Sequence, residues 1–300
     1  MRNNLQGNGN EEQQLNRRDI LGGMATVGAG AAGLAATSDR GSAGALTGGC
    51  VDNWPAATDK RIELSDNEPI TTDEIPESGD IVLYVHGLFG DDLLDSVDIN
   101  GANQAAALDD ALSEQGVEQP TIAAMWNSST TWSVAKWRAD DAGETLAAWL
   151  EANRENYDSV TLVAHSLGTR VTLVALSELA ETDITVDSVG LLGGAVDPDT
   201  ICDNYKDGIE ASVSGPVYNY HSEDDGIVCN IYAIREFTSA VGCGGADCSG
   251  GWFSTGSDRP ENYEDVDLTG EVTGHCDFFK SNAVGPETGN AVDELVDRQF

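Results

Sequence analysis

The sequence predicts an α/β fold with a mostly parallel central sheet and helices on both of its faces. Three observations carry that expectation. From about residue 80, short β-branched apolar runs alternate with longer stretches of helical periodicity, the pattern of successive β-α units. One of these runs, 160–164, passes through a tight turn of small residues directly into a helix. Hydrophobic residues make up 40% of the 300, enough for a real core.

Each element follows from its own pattern. Residues 81–85 (IVLYV) are a continuous apolar run of strand length, expected to be buried on both faces. Residues 104–115, rich in Ala and Leu, read as a helix. A second strand covers 121–126 and a long helix 134–153, in which Ala142, Leu146, Trp149 and Leu150 recur at helical spacing. The run 160–164 is a third strand, and the helix after it turns Val171, Val174 and Leu179 inward. Residues 186–196 contain a fourth strand, 217–220 form a fifth and 265–268 a sixth. Residues 46–79, acidic and Pro-containing, are expected to form a lead-in with a short edge hairpin. The domain then spans 80–300, with the Gly- and Cys-rich stretch 241–260 as a loop insertion.

Residues 1–45 read as an address label. A polar stretch ends in Asn16-Arg17-Arg18-Asp19-Ile20-Leu21, a mildly apolar Gly-rich stretch follows to Ala36, and Ala43-Gly44-Ala45 has the small-residue form of a signal-peptidase site. The arrangement resembles a twin-arginine export signal, which implies passage of the folded protein through the twin-arginine translocase. Asn16 and Ile20 depart from that pattern, where Ser/Thr and Phe are common. The expected location is extracellular or at the cell surface. An uncleaved signal, or acylation of Cys50 in Thr47-Gly48-Gly49-Cys50, would leave the protein anchored. Six cysteines (Cys50, Cys202, Cys229, Cys243, Cys248 and Cys276) in an exported chain predict disulfides. Sequence alone leaves their pairing open, with Cys243–Cys248 the best local pair because glycines let that loop close. The same spacing is poor for zinc, so no metal is expected.

Charge narrows the function classes. The chain has 15 Lys+Arg against 52 Asp+Glu, a net charge of −37. Residues 1–45 are balanced, so the remainder carries the whole excess. Such a surface repels phosphate, which excludes nucleic acid as a partner and disfavours anionic lipid. The acids run through every segment rather than one tail. In dilute buffer they repel one another, whereas at molar salt the Debye length falls to about 3 Å and exposed charges are screened. The composition resembles that of proteins from halophilic archaea and predicts adaptation to strong salt.

The chemistry centres on Ala164-His165-Ser166-Leu167-Gly168, between a strand and a helix. That is the context of a G-x-S-x-G nucleophile elbow, with Ala164 in place of the first glycine. The plainer role for such a serine is a helix N-cap. The surrounding motifs favour the nucleophile. Val85-His86-Gly87-Leu88 ends the first strand of the domain, where the N–H of Leu88 can join that of Leu167 in binding an oxyanion. His86 is expected to brace this loop. Among the four histidines (His86, His165, His221, His275), only His275 follows every plausible acid in the order Ser, Asp/Glu, His, and it is the expected base. For the acid, Asp225 after the strand 217–220 is the first choice, with Asp224 and Asp197 as alternatives.

Taken together, HGLF, AHSLGTR, LLGGAVD, YNYHSEDDGIV and TGHCDFF resemble the α/β-hydrolase superfamily, in particular its lipase- and esterase-like serine hydrolases, over roughly residues 80–300. The resemblance implies Ser166 as nucleophile, His275 as general base and Asp225 as its partner. It implies nothing firm about substrate. Trp132 and Trp137, after the second strand, are candidates to bind an acyl chain, as loop 201–215 is to form a cap. Asn127-Ser128-Ser129 is a glycosylation sequon close to the expected site.

The reading is a secreted, salt-adapted serine hydrolase of the carboxylesterase or lipase kind, acting on a small-molecule or lipid ester without a cofactor. An acyltransferase or peptidase using the same three side chains, or a non-catalytic exported binding protein, are the alternatives.

Overall fold

A computed structural model describes residues 54–64, 68–72, 74–88, 101–250, 256–280 and 290–300. The strands are β1 (Arg61–Glu63), β2 (Ile70–Thr71), β3 (Gly79–Val85), β4 (Thr121–Met125), β5 (Tyr157–His165), β6 (Ser188–Leu192), β7 (Val217–His221) and β8 (Tyr263–Asp267). They form one sheet in the order β2-β1-β4-β3-β5-β6-β7-β8. Every neighbouring pair is parallel except the β1–β2 hairpin, in which Ile62 lies opposite Thr71. This is the mostly parallel α/β sheet that the alternation of strand and helix patterns predicts. Sheet pairing already begins at Arg61, inside the segment 46–79.

The helices that position the site are α1 (Gly101–Glu114), α2 (Trp132–Asn153) and α3 (Gly168–Leu179). Shorter ones follow: α4 (Lys206–Ser212), α5 (Tyr232–Glu236), α6 (Val241–Gly244) and, last, α7 (Val292–Gln299). Strand alternation divides the core into two layers. Ile81, Leu83, Val85, Leu162 and Ala164 face a layer with Ala142, Leu146 and Trp149 of α2 and Val171 and Leu176 of α3. Their neighbours Val82, Tyr84 and Val163 face the other layer, with Leu108 and Leu112 of α1 and Leu295 of α7. Burying each large side chain contributes about 1.5–3 kcal/mol, and strands covered on both sides leave little room for polar residues.

Three expectations need correction. Loop 201–215 is no cap. It contains α4, whose Ile209 is buried and whose Ser212 donates to the Leu176 carbonyl at 2.8 Å, so it packs as the β6–β7 crossover. The segment from 241 is not a peripheral insertion at its start. Val241 is buried, and the N–H groups of Val241 and Gly242 donate to the carbonyls of Val196 and Gly194, both at 2.9 Å. The pair Cys243–Cys248 does not form. The bonds are Cys202–Cys248 and Cys229–Cys243, and Cys276 is also disulfide-bonded. The reason is the path of the chain. Asp265 accepts the N–H of Ala246 at 3.1 Å, and the Asp247 N–H donates to the Pro198 carbonyl at 3.1 Å. These bonds lay the segment across neighbouring loops toward Cys202 instead of folding it on itself.

The expected export signal at 1–45, with Arg17 and Arg18, and the alternative anchor Cys50 lie outside the described residues. Among the described residues, no helix is long and apolar enough to cross a membrane.

Candidate active site

Strand β5 ends at His165 and α3 starts at Gly168, leaving Ser166 and Leu167 to make the turn. Ser166 has φ 55, a left-handed conformation that costs a non-glycine residue about 1–3 kcal/mol. The surroundings enforce it. The Ser166 N–H donates to the Leu192 carbonyl, and the Ser166 carbonyl accepts from Ala195, both at 3.0 Å. Close approach explains the glycines of the two motifs. A Cβ on Gly168 would overlap the Val85 carbonyl oxygen, and one on Gly87 would lie 2.7 Å from Ser166 Cβ and 3.2 Å from its Oγ. Ala164, in place of the first motif glycine, is fully buried in the core. The loop after β3 therefore passes directly over the Ser166 hydroxyl.

That loop is held by His86. Its Nδ1–H donates to the Gly87 carbonyl at 2.8 Å, while Nε2 accepts from the Trp126 backbone N–H at 3.1 Å. The Trp126 indole donates back to the His86 carbonyl at 2.8 Å, and the two rings stack. Both ring nitrogens are engaged, so His86 braces the loop carrying Leu88. Leu167 stands as the N-cap residue of α3, where the helix dipole favours negative charge.

The expected acid and base, Asp225 and His275, lie on the loops after β7 and β8. His275 Nδ1 lies 2.7 Å from Asp225 Oδ2. Asp225 is fully buried, and its Oδ1 accepts the N–H groups of Ile227 and Val228 at 3.0 and 3.3 Å. A carboxylate accepts at Nδ1, which leaves the Nε2 lone pair of His275 free to take a proton. The other two acids point elsewhere. Asp224 accepts from the Gly270 N–H at 3.0 Å, and Asp197 accepts the Tyr232 hydroxyl at 2.8 Å.

The sequence reading missed what surrounds this pair. Gly193, at φ 54, runs between the two loops. A Cβ there would meet Phe278 at 2.8 Å and Asp225 Oδ2 at 3.1 Å. Phe278 and Phe279, just after His275, are fully buried, with Trp54 and Tyr84 on Phe279 at 5.6 and 5.3 Å. They anchor the base loop to the sheet. The double glycine of LLGGAVD and the FF of TGHCDFF carry this signal, but only as spacing without partners. His165 was missed as well. Its Nε2 donates to the His275 carbonyl at 2.7 Å, and burial pushes its pKa well below the ordinary histidine value.

The two tryptophans part company. Trp132 donates its indole N–H to Glu236 and meets Tyr232 edge-on at 5.6 Å, tying α2 to α5. Glu236 also pairs with Lys136 at 2.7 Å. Burial raises its pKa, but the bonds from Lys136 and Trp132 outweigh that and hold it below the usual carboxylate value. Trp137 is 63% exposed. Asn127 of the sequon accepts from Arg138 at 2.6 Å. Among the described residues no group of three or more His, Cys, Asp or Glu side chains is arranged to hold a metal ion.

Comparison with known proteins gives three kinds of likeness. A family model described as "Protein of unknown function (DUF726)" matches residues 123–284. Over 154 residues the chain is 30% identical to the transmembrane and coiled-coil domain-containing protein STS1 of Oryza sativa subsp. japonica, a match covering 50% of this chain and 21% of that protein. It is also 30% identical over 176 residues to an uncharacterized membrane protein of Caenorhabditis elegans, covering 55% of this chain and 27% of that one. The chain thus spans about a quarter of the length of these relatives. Among solved structures it is similar to a lipase-esterase related protein from Clostridium acetobutylicum, at 15% identity and a TM-score of 0.37, covering 73% of this chain and 94% of the other.

Proposed function

We propose a function for a chain that belongs to the DUF726 family of proteins of unknown function: hydrolysis of carboxylic esters through an acyl-enzyme on Ser166. The observation that carries this reading is the strained serine at the strand–helix turn, together with a histidine oriented by a buried carboxylate. An N-cap serine needs neither a left-handed backbone nor such a pair.

Each step uses groups already described. Ser166 Oγ attacks the ester carbonyl carbon and its proton passes to His275 Nε2. Asp225 stabilises the resulting imidazolium through the Nδ1–H bond. The N–H groups of Leu88 and Leu167 take the developing oxyanion, each worth about 10²–10³ in rate. Collapse breaks the ester C–O bond, and the departing alkoxide receives the proton from His275. Water then attacks the acyl-enzyme as His275 takes its proton, and the acid leaves as Ser166 is reprotonated. In this proposal Trp132 and Trp137 contact the acyl portion.

The same reading has the protein exported through the twin-arginine pathway and working in strong salt, outside the cell or at its surface. Arg17-Arg18 with the following Gly-rich stretch, the disulfides and the net charge of −37 support it.

A fluorophosphonate probe tests the chemistry directly. At molar salt it is expected to label wild type at Ser166, and to label Ser166→Ala not at all. Turnover of an ester panel of varied acyl length is expected to fall about 10⁶-fold in kcat in Ser166→Ala. Retained turnover in that variant overturns the reading. Absence of labelling in wild type favours a binding protein.

A further inference from the structure

His165 occupies the unspecified position of the elbow motif, and neither the fold nor the proposed chemistry requires a histidine there. It is the last residue of β5, opposite Leu192 in the register with β6, and only 3% exposed. Alternation puts it on the same sheet face as Val163, where the base loop packs. Its ring centroid lies 4.6 Å from that of His275, 5.0 Å from Phe279 and 6.5 Å from Phe278. Its Nε2–H donates to the backbone carbonyl of His275 at 2.7 Å.

We propose that His165 is a positioning residue for the base, its Nε2–H fixing the backbone of His275 while Asp225 fixes the imidazole. This rests on the reading of His275 as the base. Two anchors at opposite ends of one residue, its backbone carbonyl and its Nδ1, leave its ring a single orientation. Holding only the ring by Asp225 would let the backbone carry it out of line. A misplacement of about 1 Å is enough to cost some 10²-fold in rate.

Neutrality is part of the device. The Nδ1 atom of His165 is buried and accepts no hydrogen bond among the described residues. A proton there would be left without an acceptor. The titratable groups that face the ring are His275 and His86, and neither offers a negative charge. Burial first, and then these two histidines, hold its pKa well below the ordinary value, although the bond to the His275 carbonyl acts in the other direction. A neutral ring can sit beside His275 without opposing the imidazolium that forms during acyl transfer.

The test compares His165→Gln with His165→Met in the full chain at molar salt. The two side chains are nearly isosteric, but only Gln keeps an N–H near the position of Nε2. The expected result is kcat within about threefold of wild type for Gln. For Met, kcat and the rate of fluorophosphonate labelling fall ten- to hundredfold with KM within twofold. Equal activity of the two variants overturns the proposal while leaving the serine-hydrolase reading intact. Failure of wild type to label overturns both. A measurement on wild type covers the case in which Met does not fold. Nitrogen-15 NMR of the histidines in wild type at pH 8 is expected to show His165 carrying its proton at Nε2 with Nδ1 bare, and the Nδ1–H tautomer overturns the proposal.

Discussion

Asp225 shows how much depends on one buried carboxylate. Its two oxygens serve the backbone N–H groups of its own loop on one side and His275 on the other. In Asp225→Asn the amide can present an N–H where His275 needs an acceptor, which turns the imidazole to the wrong tautomer. The expected loss in kcat is about 10⁴-fold, measured as ester turnover with folding checked by circular dichroism. Asp224→Asn and Asp197→Asn are expected to stay within a few-fold, because those carboxylates bind Gly270 and Tyr232 instead. A collapse in Asp197→Asn alone would move the acid to the loop after β6. His165 has a thermodynamic signature of its own. Its folded pKa is lowered, so below the unfolded value of about 6.5 the unfolded chain binds a proton that the folded one refuses. Its contribution is complete above that pH and declines as the pH falls toward the folded pKa. The urea unfolding free energy of wild type is therefore expected to drop more between pH 7.5 and 5.5 than that of His165→Met. The comparison cancels the carboxylates common to both, and equal drops would show that His165 does not stay neutral.

At the scale of elements, the acid loop is the part held by covalent chemistry. Cys229 donates its N–H to the Asp225 carbonyl at 3.0 Å and is bonded through sulfur to Cys243 in α6. Ser222 at the head of the same loop donates its N–H to the Gly242 carbonyl at 3.1 Å, so α6 clamps it from both ends. Closing a loop of 14 residues contributes about 3 kcal/mol by chain entropy. The double variant Cys229→Ser/Cys243→Ser is expected to lose about that much in denaturant unfolding and to lose kcat as the acid loop loosens. The pair Cys202→Ser/Cys248→Ser is expected to lose stability but keep kcat, since it ties the β6–β7 crossover to the loop beyond α6. Equal kcat in the two double variants would contradict the clamp. Composition explains why this was illegible. Glycine and cysteine read as loop, and nothing local in 241–248 says that Val241 enters the core or that Cys243 faces Cys229. The sheet strands from β3 onward and the three long helices α1, α2 and α3 were legible to within a few residues, because apolar periodicity is a local property, whereas the short helices α4 to α7 were not. The helix expected at 104–115 begins at Gly101, and the strand expected at 265–268 is Tyr263–Asp267.

For the whole molecule, the property that bears on its surroundings is charge. A net −37 on one chain repels itself at low ionic strength, and the ion pairs among the described residues are mostly half-buried surface pairs that offset little of it. The melting temperature and the ester turnover are therefore both expected to rise as KCl is increased from 0.2 to 3 M, over which the screening length shortens from about 7 Å to about 2 Å. Full stability in dilute buffer would remove salt adaptation from the reading while leaving the hydrolase chemistry untouched.

The sequence by itself determined the alternation of elements, the turn between β5 and α3 and the order along the chain of Ser166, the three candidate aspartates and His275. Each of these is written in neighbouring residues or in simple order. Tertiary structure alone decided which of three aspartates meets His275, which cysteines pair, and that His165 and Gly193 join the acid and base loops to the elbow. Those are contacts between residues distant in sequence, and composition carries no record of them because the partner, not the residue, defines the role. The same limit applies to the ester itself. The chain spells out the groups that, in the proposed reading, attack a carbonyl, while the shape that would choose one acyl group over another arises only where separate loops come together.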